Sequence, residues 1–375
     1  MKILKMPVQP KHENIVMKTI ALLLLFLSSI LVSYGQDFSA AAEKADKQCA
    51  RFLGKNNIPG LSISISYADK LVYSKGFGYA DVAAGLAVNP QSSQFRIGSI
   101  TKPLVALTLA RLQEQHRLSL DESVYKYADS LPKKEYDFTI RQVGSHVAGL
   151  KRMYMPYNND STKVTTREEF YDAFTEPLLF KPGTDNSYSN FGYEILGLVI
   201  EKATGEPLDK VIAQQVLNPL AMGHTLPARL KESNTKYYSG NEGGNFLPAQ
   251  HMAYNLNTAP GYYYSTSEDL VKLGNALLIP GRLLQKNTLL DIIKPYPLSS
   301  GKNNHDGFGV ENDNGINGKR MIGHTGHVFG GTAAFIVYPE YKLVIAFTAN
   351  CDHIKPEKSL AFLSEITKAF VDEID

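Results

Sequence analysis

Between Arg96 and Arg111 the chain reads Ile-Gly-Ser-Ile-Thr-Lys-Pro-Leu-Val-Ala-Leu-Thr-Leu-Ala, and Lys102 is its only charge. The pattern predicts a helix over residues 97–115, and a helix that is apolar on every side is a buried one. A lysine in such a helix has to pair or give up its proton, because burial disfavours the ammonium form. Ready loss of a proton is what a shuttling role requires. Ser99 stands three residues earlier on the same helical face. Its hydroxyl is a poor nucleophile until a neighbour removes its proton. Gly98 permits close backbone approach, and Pro103 is tolerated only in a first helical turn, so the helix starts at Ser99 and presents it to a cleft. These residues fit equally well a capping serine followed by a lysine that reaches solvent. Ser-x-x-Lys also occurs at Ser123, Ser130, Ser233 and Ser299, in polar, loop-like stretches where no chemistry is expected.

Two further segments carry polar groups of catalytic type. Pro182-Gly183-Thr184-Asp185-Asn186-Ser187-Tyr188-Ser189-Asn190 precedes a helix expected from Gly192. A turn-rich segment of this kind can project the Tyr188 phenol and the Asn190 amide into a cleft. A tyrosine flanked by cations loses its proton below its usual pKa of about 10, and an asparagine offers both a donor and an acceptor. The same residues also fit a plain helix start, with Asn190 as cap and Tyr188 packed. Tyr157-Asn158-Asn159 repeats the Tyr-x-Asn spacing. The other segment is Gly323-His324-Thr325-Gly326-His327, expected at the end of a strand and followed by Gly330-Gly331. Small residues there let a substrate backbone lie alongside the strand. The backbone N–H groups of His327 and Ser99 would together form an oxyanion hole. His305-Asp306-Gly307 shares only the looser His-x-Gly spacing. No His-x-x-x-His helix or cysteine cluster points to zinc, so no metal or cofactor is expected.

Around these segments the chain divides into three. A basic Lys18, an apolar run at residues 20–32 and the small residues Ser33 and Gly35 before Gln36 describe a signal peptide over residues 1–35. Met17 stands where such a leader would begin, so residues 1–16 read as an upstream start-site artefact. The run is short for a membrane span, although an uncleaved anchor is the alternative. Localisation is therefore expected to be periplasmic or secreted. Residues 36–95 plus 300–375 read as an α/β sheet domain, with helices at 38–55 and 356–371. Strands are expected at 61–67, 71–78, 319–322, 332–338 and 343–348, forming one antiparallel sheet from the two chain ends. Residues 96–299 read as an inserted, mostly helical domain, and such a boundary is a natural place for a cleft. The formal net charge of +2, with no basic stripe, gives nucleic acid no electrostatic footprint. Export permits a disulfide between the two cysteines, Cys49 and Cys351, and two buried thiols are equally compatible with the sequence.

Ser-x-x-Lys at Ser99 and Lys102, Tyr-x-Asn at Tyr188 and Asn190, and His-Thr-Gly at His324, Thr325 and Gly326 together resemble the serine β-lactamase and penicillin-binding superfamily. The versions present are similar to the branch holding class C β-lactamases, D-alanyl-D-alanine carboxypeptidases and related esterases. Phe95-Arg96-Ile97, Ser145-His146 with Gly149-Leu150, the run from Tyr263 to Leu270, and Phe347-Thr348-Ala349-Asn350 extend the resemblance over residues 40–372. It implies a β-lactamase-like antiparallel sheet flanked by terminal helices. It implies Ser99 as the acylated nucleophile, Lys102 and Tyr188 exchanging its proton, and Asn190, His324, Thr325 and Gly326 binding substrate. His324 stands where class C β-lactamases carry lysine, and imidazole grips a carboxylate less firmly. Gly307-Phe308-Gly309-Val310 lacks the tryptophan that the family often carries there. The expected activity is an exported serine hydrolase acting on a small D-amino-acid-type peptide or an ester, the partner being that small substrate. A penicillin-binding sensor with little turnover and a true β-lactamase are the alternatives.

Overall fold

Alternation along residues 60–67 of Gly-Leu-Ser-Ile-Ser-Ile-Ser-Tyr sends Leu61, Ile63 and Ile65 to one side of a strand and Ser62, Ser64 and Ser66 to the other. The computed structural model describes residues 36–374 apart from 153–166, 229–232, 243–244 and 250–258. The expected signal peptide and Tyr157-Asn158-Asn159 lie outside the described residues. From Phe38 onwards the chain forms one contact unit. Among the described residues no helix is long and apolar enough to cross a membrane.

The main sheet holds β1 (Gly60–Tyr67), β2 (Lys70–Asp81), β3 (Leu86–Ala87), β4 (Glu311–Asn314), β5 (Arg320–Val328), β6 (Gly331–Tyr338) and β7 (Leu343–Ala349). Its strand order is β3-β2-β1-β7-β6-β5-β4, every pairing antiparallel. The two chain ends meet where Leu61 pairs with Ala349 and Tyr67 with Leu343, as the alternation implied. The β1–β2 turn needs only Ala68 and Asp69, both at positive φ, which suits a two-residue hairpin.

One face of the sheet is covered by the terminal helices α1 (Ser39–Asn56) and α5 (Pro356–Val371). Leu61, Ile63, Ile65, Ile345 and Phe347 pack there with Ala45, Phe362 and Ile366. The strand pattern predicted one buried face, yet the serine face of β1 is buried as well. It meets α4 (Ser267–Leu278), and the polar groups are satisfied pairwise. The Ser267 hydroxyl lies 2.6 Å from that of Ser62 and 2.8 Å from that of Ser64, while the Ser66 hydroxyl donates to Asn275 Oδ1 at 2.8 Å. Burial of hydroxyls is tolerated when each finds a partner. Cys49 and Cys351 are free, buried thiols, and burial pushes the Cys49 thiol up to about 12.

Above the α4 side of the sheet, helices α2 (Thr101–Glu114) and α3 (Asn190–Thr204) build the second core. A tight turn at Gly98–Ile100 runs directly into α2, placing Pro103 within its first turn. Ser99 is the one position between 93 and 110 that is not buried. The third segment departs from expectation: β5 continues through His324, Thr325 and Gly326 to Val328. Pairing of His327 with Thr332 and of Val328 with Gly331 carries the ladder past the glycines.

Candidate active site

The site forms where the start of α2, the start of α3 and the outer half of β5 converge. Gly98 adopts φ +49°, and a Cβ there would stand 2.9 Å from the His327 backbone nitrogen. At Gly326 a Cβ would overlap the Ile97 carbonyl oxygen. Only glycine permits this approach. The two glycines therefore bring the backbone around Ser99 against the backbone around His327.

Lys102 is fully buried. Its Nζ lies 3.2 Å from Ser99 Oγ, 2.7 Å from Asn190 Oδ1 and 2.7 Å from the Pro260 carbonyl oxygen. Burial drives its pKa well below the usual 10.5, the charge of Arg152 adds to that, and Glu311 and Glu194 oppose it. A neutral amine has two N–H bonds and one lone pair. The two carbonyl oxygens can accept the N–H bonds, which leaves the lone pair for the Ser99 hydroxyl. Capping explains how Asn190 reaches the lysine. Ser189, not Asn190, is the N-cap of α3, its Oγ accepting from the Gly192 N–H at 2.9 Å. The helix starts two residues earlier than expected, and the Asn190 side chain is free for Lys102.

Tyr188 sits beside Ser99, yet its pKa is raised, by burial above all and further by Glu311 and Asp306; Ser99 and Arg152 only partly offset this. This corrects the expectation of an easily ionised tyrosine. Lys102 Nζ does lie 4.8 Å from its ring centroid and the Arg152 guanidinium 5.5 Å, but desolvation of the phenolate outweighs them. Tyr188 is therefore a phenol, a proton donor, and the basic member of the pair is Lys102. The His146 ring packs against it at 4.4 Å and accepts the Ser189 N–H on Nδ1 at 3.1 Å, fixing the turn that carries Tyr188.

His324 is buried, and its pKa is lowered to about 4 by burial and by Lys102. Its Nδ1 stands 2.6 Å from the Thr325 carbonyl oxygen, an acceptor only, so Nδ1 carries the proton and Nε2 presents a lone pair. Thr325 is partly exposed beside it. β4 pairs only with Arg320–Gly323 of β5, so from His324 to Val328 the outer edge of β5 has no strand partner among the described residues. Glu311, which sequence reasoning missed, lies at this corner. Its Oε1 is 3.9 Å from His324 Nε2. Burial pushes its carboxyl up to about 7, helped by Asp313 and opposed by Lys102, although 44% of the side-chain surface still meets solvent. A lone acidic residue after an apolar Val310 gives no periodic or motif signal. Pro260 was equally silent, because it acts through its carbonyl oxygen. Among the described residues no cluster of His, Cys, Asp and Glu could hold a metal ion.

A serine on a tight turn before a buried helix, a buried lysine against its hydroxyl and a phenol beside that lysine together define an active-serine hydrolase site. Comparison with known proteins agrees: residues 42–365 match the family model described as Beta-lactamase, and the chain belongs to that family of serine hydrolases. It is 25% identical to the human mitochondrial serine beta-lactamase-like protein LACTB over 402 aligned positions, 81% of this chain and 73% of that one. It is 27% identical to Protein flp of Staphylococcus aureus strain N315, across 83% of this chain but 64% of flp. In structure it resembles the octameric penicillin-binding protein homologue from Pyrococcus abyssi, with TM-score 0.75 and 26% identity over 87% of this chain and 77% of that one.

Proposed function

We propose that the protein is an exported hydrolase that cleaves a small amide or ester, of D-amino-acid type, through an acyl-enzyme on Ser99. The observation that carries this reading is the buried Lys102, whose amine stands 3.2 Å from Ser99 Oγ while two carbonyl oxygens hold its other contacts. Export rests on the leader pattern of residues 1–35.

In acylation the Ser99 hydroxyl passes its proton to the neutral Lys102 amine as Oγ attacks the substrate carbonyl. The N–H groups of Ser99 and His327 receive the developing oxyanion, a contribution of about 100-fold or more. Tyr188 donates its phenolic proton to the leaving amine or alkoxide and regains one from the Lys102 ammonium. The acyl group is then on Ser99, the leaving group is neutral, and Lys102 is again an amine. Water repeats the cycle in reverse to release the acid. Asn190, with Oδ1 committed to Lys102, keeps its amide N–H groups for a substrate carbonyl.

A brief exposure to a fluorophosphonate, read by intact mass, tests the assignment. Wild type should gain one adduct and Ser99→Ala none. Adduct on both proteins, or on neither, would remove Ser99 as the nucleophile. The same experiment with penicillin separates a hydrolase from a binding protein: a hydrolase sheds the adduct, and a sensor keeps it. Slow reaction is expected, because the neutral His324 offers a β-lactam carboxylate no cation.

A further inference from the structure

At the Glu311 end of the cleft two hydrogen-bond acceptors face one another. Nδ1 of His324 is bound to the Thr325 carbonyl oxygen, so the ring turns a lone pair outward on Nε2. Glu311 Oε1 stands 3.9 Å from that nitrogen. The backbone holds the pair in place, because Glu311, the first residue of β4, pairs with Gly323, the residue immediately before His324. A group carrying several N–H donors about 2.9 Å from each acceptor would satisfy both at once. The surrounding charge favours a cation. Asp313 and Asp306 add negative charge around Glu311 and His324, while Lys102 is occupied by Ser99, Asn190 and Pro260 and Arg152 lies over the Tyr188 ring. With Glu311 ionised, above about pH 7, a carboxylate in the same place would meet a second carboxylate and the lone pair of His324.

We infer that Glu311 and His324 form a subsite for a primary ammonium group of the substrate, so the enzyme prefers amides and esters that carry a free amine. This rests on the active-serine reading above and names the chemistry that the site selects. Glu311 supplies the charge and one acceptor, and His324 supplies the second acceptor and, by its fixed tautomer, the direction.

The test compares D-alanine p-nitroanilide with its N-acetyl derivative, on wild type and on Glu311→Gln. Wild type should favour the free amine in kcat/KM by on the order of tenfold or more, as expected of a charge-assisted hydrogen bond. Glu311→Gln should bring the ratio towards one, and because both substrates meet the same protein, a general loss of activity cancels. Glu311→Asp should restore part of the preference. The ratio should also fall as pH drops through about 7, where Glu311 takes a proton, and again above about 8, where an α-amine loses its own. The groups facing Glu311 in this titration are Lys102, Tyr188, His324, Asp306 and Asp313. A ratio unchanged in Glu311→Gln, or a wild-type preference for the N-acetyl compound, overturns the inference while leaving Ser99-dependent turnover intact. Should Ser99 prove not to be the nucleophile, calorimetry of D-alaninamide binding to Ser99→Ala and to the Ser99→Ala, Glu311→Gln double variant still decides: binding must be present in the first and lost in the second.

Discussion

Lys102→Met is expected to lower kcat/KM for a simple ester such as p-nitrophenyl acetate by about two to four orders of magnitude, the usual scale for losing a general base. Lys102→Arg is expected to be no better. The contrast separates two roles that a cation can play. If Lys102 worked by charge alone, arginine would restore much of the activity. Arginine does not deprotonate at any working pH, so it cannot take the Ser99 proton. The depressed pKa of Lys102 has a sign that can be checked. Below that pKa the amine is an ammonium and cannot act as base, so the acidic limb of the kcat/KM profile belongs to it and lies well below 10.5. Neither variant should show that limb. Folding should survive in Lys102→Met, because two losses oppose each other. The Asn190 and Pro260 oxygens lose a buried donor, at about 1–3 kcal/mol, while the unfavourable burial of an amine disappears. Recovery by arginine to within tenfold of wild type would assign Lys102 an electrostatic role instead.

How much of this was legible beforehand differs from element to element, for physical reasons. The helix around Lys102 was readable because one charge in an otherwise apolar run has few explanations, and Pro103 marks its first turn. The terminal helices and the hairpin at residues 61–78 were readable from their periods and, for the hairpin, from the turn at Ala68-Asp69-Lys70. β5 was cut short because Gly323 and Gly326 erase the apolar alternation. Its extension depends on ladder bonds to β6 and on close approach to the Ser99 turn, which are tertiary facts. The serine face of β1 looked solvent-exposed because nothing local reveals that Ser267 and Asn275 will arrive from two hundred residues away to bond it. Tyr188 was assigned the wrong ease of ionisation because cations are visible in a sequence and desolvation is not. Glu311 was invisible for a related reason. It acquires meaning only from the 3.9 Å that separates it from the Nε2 of His324, and that distance is set by where β4 stops pairing.

Gly326→Ala carries the other large effect, and it tests whether the β5 backbone itself is part of the machinery. The added Cβ would overlap the Ile97 carbonyl oxygen and stand 3.4 Å from Ile100 Cγ1. The first obstacle is backbone, which cannot swing aside as a side chain would, so β5 and the Ser99 turn must separate. That movement carries the His327 N–H away from the Ser99 N–H. Loss of one oxyanion donor costs about 100- to 1,000-fold in kcat, and overpacking of this kind costs about 1–3 kcal/mol of stability. Gly326→Ala should therefore melt earlier than wild type and react with a fluorophosphonate about 100-fold more slowly. Lys102 keeps its contact to Asn190 at the start of α3. Gly54→Ala in α1 is the comparison, because nothing lies within 4 Å of a Cβ there and alanine favours a helix by about 1 kcal/mol. It should melt no lower than wild type and react at the wild-type rate. Labelling of Gly326→Ala at the wild-type rate, despite a lower melting temperature, would mean that the oxyanion is held elsewhere and that the glycine serves packing alone.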